Sequence, residues 1–120
     1  MTEPRDIKER TFYFATRIVA LCRDLKDSDP TSGTLAPQLL RSGTAIGLYV
    51  DEAHGNHHKP DFIAKMSLAA KEARETNYWL RLLTDTEDLS PTRLAELTDE
   101  ATQLLAILTT IVKRSRENPV

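Results

Sequence analysis

Four amphipathic stretches of about twenty residues, each long enough for a rod of about 30 Å at 1.5 Å per residue, are separated by short breaks rich in Pro, Gly, Ser and Asp. The chain has only four glycines and six prolines, and nearly all of them fall at the edges of those stretches. These two observations predict an all-α protein, an antiparallel up-down-up-down four-helix bundle. At 120 residues the chain is expected to form a single domain, 1–120, with one core and no need of disulfides or metals.

The first helix is expected over about residues 6–26, with Ile7, Thr11, Phe14, Ile18, Leu21 and Leu25 on the inner line, Ala15 and Cys22 beside it, and Phe12 and Val19 widening the stripe. The run from Asp27 to Gly33 reads as a turn, after which Thr34 is expected to cap a second helix over about 35–54. Its line is Leu35, Leu39, Ser42, Ile46, Tyr49 and Ala53, with Pro37 tolerated in the first turn. Gly43 and Gly47, one turn apart, each cost about 1 kcal/mol relative to Ala, which points to close backbone approach by a neighbouring helix.

A third helix is expected over about 60–84, with Phe62, Met66, Ala69, Ala73, Thr76, Leu80 and Leu83 facing inward. Ser90 and Pro91 read as an N-cap and first helical residue of a fourth helix over about 91–117, with Leu94, Leu97, Ala101, Leu104, Leu108 and Ile111 on its line.

The third helix also carries a second, thinner apolar line on its back: Ala64, Leu68, Tyr78 and Leu82, interrupted by Lys71 and Glu75. A bundle that works alone leaves its outer face polar. Leu68, Tyr78 and Leu82 are therefore expected to contact further copies of the chain, making the protein a homo-oligomer. By the same argument Tyr78 and Trp79, with Arg74 and Arg81, read as a subunit contact and core flank in preference to a base-stacking platform.

Sixteen Lys and Arg stand against eighteen Asp and Glu, a formal charge of −2, so no global cationic field draws nucleic acid or an anionic membrane. The single cysteine, Cys22, excludes an intramolecular disulfide and is expected to be a buried, inert thiol in a reducing compartment. The N-terminal Met-Thr-Glu-Pro-Arg-Asp lacks the pattern of a secretory signal, and no apolar run approaches the ~18 residues of a membrane span, so a cytoplasmic protein is expected.

Sorting charges by the ends of the bundle collects Arg5, Lys8, Arg10, Lys59, Lys113, Arg114 and Arg116, with three histidines, at the end shared by the start of the first helix and the close of the fourth. Acidic residues balance them there at neutral pH, and protonation of the histidines would tip that end cationic. This set is the candidate nucleic-acid contact. Asp51, His54, His57 and His58 form the only cluster resembling metal ligands, but a di-metal bundle draws carboxylates from all four helices; a solvated turn is the preferred reading, and no metal or cofactor is expected. Arg41, Glu52, Glu72 and Glu75 flank the seam between the second and third helices and are expected to form a cross-helix ion-pair network that sets register.

The segments Leu40 to Gly47, Asp51-Glu52-Ala53 and Lys71 to Leu80 resemble the four-helix bundle family of 23S rRNA intervening-sequence proteins, small bacterial proteins similar to the accessory variability protein of diversity-generating retroelements. The resemblance spans nearly the whole chain. It implies a closed homo-oligomer, a pentameric ring being the expected form, and it brings in the nucleic-acid binding attributed to basic members. The function expected from residues and resemblance together is a non-enzymatic scaffold or adaptor whose partner is RNA, DNA or a nucleic-acid enzyme. The alternatives are direct RNA or DNA binding through the Arg/Lys/His end, or a metal-binding bundle.

Overall fold

The computed structural model describes residues 6–55, 57–86 and 90–118. It contains four α-helices: α1 (Ile7–Lys26), α2 (Pro30–His54), α3 (Lys59–Thr86) and α4 (Pro91–Glu117). Three begin on a side-chain cap that satisfies an otherwise unpaired first-turn N–H. Asp6 accepts from Glu9 N at 2.8 Å, Asp29 from Ser32 N at 3.0 Å and Ser90 from Arg93 N at 3.2 Å.

The start of α2 differs from the sequence expectation. Asp29, not Thr34, is the cap, and Pro30 takes the first helical position. Thr34 lies inside the helix, its hydroxyl donating back to the Pro30 carbonyl at 2.8 Å. Asp-Pro is the better start because aspartate caps well and proline's missing N–H would be unpaired there anyway. Pro37 consequently sits in the helix interior. Its ring would press on the carbonyl four residues back, and that residue is Gly33.

The polar contacts between neighbouring helices run in opposite directions along the chain, which makes every neighbouring pair antiparallel. Between α2 and α3, Arg41 meets Glu72 while Glu52 meets Lys65. Between α3 and α4, Ser67 meets Arg116 and Asn77 meets Thr102. Between α1 and α4, Arg10 meets Glu100 and Asp24 meets Arg93. The bundle is a rod with extents of 50 × 31 × 21 Å.

Phe14, Ile18, Leu21 and Leu25 of α1, Leu39, Ile46, Val50 and Ala53 of α2, Met66, Ala69, Ala73, Leu80 and Leu83 of α3, and Leu94, Leu97, Leu104 and Leu108 of α4 form one continuous core. Each large aliphatic or aromatic side chain sealed there contributes about 1.5–3 kcal/mol. Leu35, Tyr49, Phe62 and Ile111 pack at its edge. Phe12 does not join it: its side chain is 71 % exposed. Two positions before Phe14, it is turned about 200° around the helix from that inward residue.

Both central glycines of α2 face α1. A methyl group at Gly43 would stand 2.8 Å from Cγ2 and 3.0 Å from Cγ1 of Ile18, and one at Gly47 would stand 3.2 Å from the Thr11 carbonyl oxygen. The close approach inferred from sequence is thus an α1–α2 contact. Ile18 is wholly buried and β-branched, so it has little freedom to move aside. Gly43→Ala is expected to lower stability by about 1–3 kcal/mol despite alanine's better helix propensity. In urea unfolding the same substitution on an Ile18→Ala background should cost markedly less, because the clash is gone.

Candidate functional site

The α2–α3 seam holds the polar constellation expected from sequence, rearranged. Arg41 reaches from α2 to place its guanidinium against both oxygens of Glu72, at 3.0 and 3.2 Å, and against Glu75. Glu72 is 7 % exposed, so the forked donor satisfies a nearly buried carboxylate. The hydrogen bonds that Arg41 donates to Glu72, offset in part by burial and reinforced by the charges of Glu72 and Glu75, hold it above the usual guanidinium range. Glu52 belongs to a separate bridge, 2.7 Å from Lys65, and the Lys65 ammonium also lies 5.6 Å from the centre of the Tyr49 ring. Beneath Arg41, the buried Thr76 hydroxyl donates to the Glu72 carbonyl at 2.8 Å and lies 2.9 Å from the Ser42 hydroxyl. These contacts tie α2 to α3 across the seam.

Cys22 is buried against α2, its Sγ 3.6 Å from the Ala36 carbonyl. Burial pushes the thiol up to about 11. The thiolate, which is the reactive form, is therefore suppressed at neutral pH.

At the mixed end, His54 is tied to the Val50 carbonyl at 2.8 Å and stacks edge-on against Phe62, while His58 lies 3.4 Å from Asp61. Among the described residues no group of three His, Cys, Asp or Glu is arranged to hold a metal ion. Several cations of the candidate nucleic-acid set are engaged elsewhere. Arg10 makes a two-pronged pair with Glu100 at 2.7 and 2.9 Å, Lys8 lies 3.9 Å from Asp51, and Lys59 reaches the Asn118 carbonyl. Arg5 lies outside the described residues. Lys113, Arg114 and Arg116 are exposed near the end of α4.

The outer line of α3 is uncovered: Tyr78 is 52 % and Leu68 37 % exposed, and Leu82 is half-buried. Tyr78 meets the edge of Trp79 at 5.2 Å between ring centres. The Trp79 indole N–H finds no acceptor among the described residues.

Two grooves escaped the sequence reading. One runs between α1 and α2, about 680 Å³ in volume, with Phe12 and Leu48 as walls, Ala15, Thr44 and Gly47 between them, and Lys8, Glu9 and Asp51 at its rim. The other runs between α3 and α4, about 480 Å³, lined by Ser67, Arg74, Thr109, Lys113, Arg116 and Glu117 over Ala70 and Val112. The available signal for the first was that Leu48 stands on no inner line and Phe12 lies two positions from the inward Phe14, although the sequence reading assigned Phe12 to a widened stripe. The second has no signal in either helix alone, because only antiparallel docking brings Arg74 beside Lys113.

Fold and surfaces together define a small four-helix bundle whose polar contacts lock its own helices and whose outer grooves are open to other molecules. The chain belongs to the 23S rRNA-intervening sequence protein family, whose model matches residues 3–110. Among solved structures it is similar to a protein of unknown function from the S23 ribosomal protein family of Bacteroides thetaiotaomicron, with 36% identity, a TM-score of 0.82, and coverage of 89% of this chain and 98% of that one. No curated protein matches the sequence. No helix of the described residues is long and apolar enough to cross a membrane.

Two outcomes follow from the buried polar groups. Arg41→Met strands the Glu72 carboxylate and should cost about 1–2 kcal/mol in urea unfolding, held to that range because the guanidinium is half exposed; Glu75→Gln should cost under about 1 kcal/mol. For Cys22, the folded value lies above the unperturbed 9.0, so its contribution to stability is complete below pH 9.0 and is lost as pH rises toward 11. At pH 8 a thiol reagent should label the native protein only as fast as it unfolds, and rapid labelling without denaturant would contradict the burial.

Proposed function

We propose that this protein is a non-enzymatic, cytoplasmic scaffold that assembles from several copies of itself, a pentameric ring being the form suggested by the family resemblance, and that it serves as an adaptor for nucleic acid or a nucleic-acid enzyme. The observation that carries the reading is that each chain leaves two different apolar surfaces uncovered: the α1–α2 groove walled by Phe12 and Leu48, 71 % and 56 % exposed, and the α3 line of Leu68, Tyr78 and Leu82. Paired apolar surfaces of this kind favour association once desolvated together. Two unlike patches on one chain suit a head-to-tail contact, the groove of one copy receiving the ridge of the next. Such heterologous contacts form rings when the rotation between copies closes.

The lining of the α1–α2 groove supports a contact role, since Phe12, Ala15, Gly47 and Leu48 offer apolar area with the charged Lys8, Glu9 and Asp51 at the rim. The family description concerns 23S rRNA intervening sequences, and that of the Bacteroides thetaiotaomicron protein names no reaction. The nucleic-acid side of the proposal takes its support from that family description.

Light scattering at micromolar concentration should give a multiple of the 13.5 kDa chain mass. Phe12→Glu and Tyr78→Glu, at exposed positions on different faces, should each reduce the assembly without unfolding it. Mixed together they should form a heterodimer and no ring, because one copy retains only the groove and the other only the ridge. A wild-type monomer under these conditions would overturn the proposal.

A further inference from the structure

We infer that the groove between α3 and α4 binds the phosphate groups of a single-stranded polynucleotide. This deepens the nucleic-acid side of the proposed function and does not depend on self-association. The first ground is charge pairing. Lys8, Arg10, Arg17, Arg41, Lys65 and Arg93 each face a carboxylate within the bundle. Arg74, Lys113 and Arg116, which line this groove, have no carboxylate at ion-pair distance among the described residues. Glu117 is the one acid in the lining, leaving the groove with an excess of two positive charges from three cations.

The second ground is placement. Ser67 and Arg74 lie seven residues apart on α3, as do Thr109 and Arg116 on α4, so each pair shares one face of its helix. Antiparallel docking sets the two faces side by side, and Arg116 donates to the Ser67 hydroxyl at 3.5 Å. Lys113 and Arg116 also answer the negative end of the α4 dipole. Arg74, in the middle of α3, has no such role and stands exposed over the groove, where an anion from outside the chain can reach it.

The third ground is chemical fit. Guanidinium groups present paired N–H donors to phosphate oxygens, an ammonium adds a point charge, and the Ser67 and Thr109 hydroxyls supply neutral donors. All three cations are exposed, so the site is an open trough suited to a chain passing along it and not to one enclosed ion. A backbone contact of this kind carries no base preference.

The test is fluorescence anisotropy with a uniform-sequence single-stranded RNA, titrated over salt concentration with intact protein. The wild type should bind near ~50 mM salt, and its log affinity should fall linearly with log salt. Each phosphate contact adds about 0.7 to that slope for a single strand, so Arg74→Gln, Lys113→Gln and Arg116→Gln together should shrink it by about 2. Arg23→Gln, on α1 away from the groove, should change it by less than about 0.7. Circular dichroism should show all variants folded. Absence of wild-type binding, an unchanged slope in the triple variant, or binding of inorganic phosphate or anionic lipid vesicles in place of RNA would each overturn the inference. Light scattering on the same samples separates the two proposals: a monomer that binds RNA through these residues ends the scaffold alone, and a ring that does not ends this site alone.

Discussion

The close approach of α1 and α2 at Gly43 and Gly47 is the constraint on which the rest of the bundle depends. With a side chain missing at both positions, α2 lies against Ile18 and the Thr11 backbone. The α1–α4 seam is different: the two helices touch only sparsely and are spanned by long side chains, Arg10 to Glu100, Arg17 to Glu96 and Arg93 to Asp24. Arginine–carboxylate pairs span a distance there that short aliphatic side chains would not cover. The α2–α3 and α3–α4 seams complete the rod with intermediate devices, a buried Ser42–Thr76 contact in one and an Asn77–Thr102 bond in the other.

The same small residues shape the exterior. Gly47 and Ala15 leave a depression above the α1–α2 contact, and Phe12 and Leu48 rise on either side of it. Interior packing and exterior groove are therefore one feature seen from two sides, and enlarging Gly47 would disturb both. The proposed self-contact gains from this coupling, because a groove floored by tightly packed helices keeps its shape before a partner arrives and so costs less to occupy.

Much of the architecture was legible because it rests on periodicity. Inner lines at steps of three and four name Phe14, Ile18, Leu39, Met66, Leu80 and Leu104 without any coordinates, and capping chemistry marks Ser90–Pro91. The errors fall where local chemistry offered two answers. Thr34 and Asp29 are both competent caps, and Asp-Pro won. Phe12 is as apolar as Phe14 but turned away from it, and a widened stripe absorbs such a residue too readily. Glu52 was grouped with Arg41 because both flank one seam, yet three turns of α2 separate them and Lys65 lies nearer. The α3–α4 groove was beyond reading from one helix at a time, since its cations are about forty residues apart in sequence and meet only through docking register.

Net charge is a poor guide to what such a surface attracts. The chain is formally acidic at −2, but that sum counts cations already neutralised by a neighbour equally with those that are not. At physiological ionic strength a charge is screened over about 8 Å, whereas the bundle is 50 Å long. Carboxylates at the far end, such as Asp24 and Asp29, are thus nearly invisible from Arg74, and the field in the α3–α4 groove is set by the few charges lining it. Internal pairing removes Arg10, Arg41 and Arg93 from the outward field while leaving Arg74, Lys113 and Arg116 in it. An acidic protein can in this way keep a cationic trough, and repetition of that trough around a ring would raise its effective strength for a long polyanion without any change in the composition of the chain.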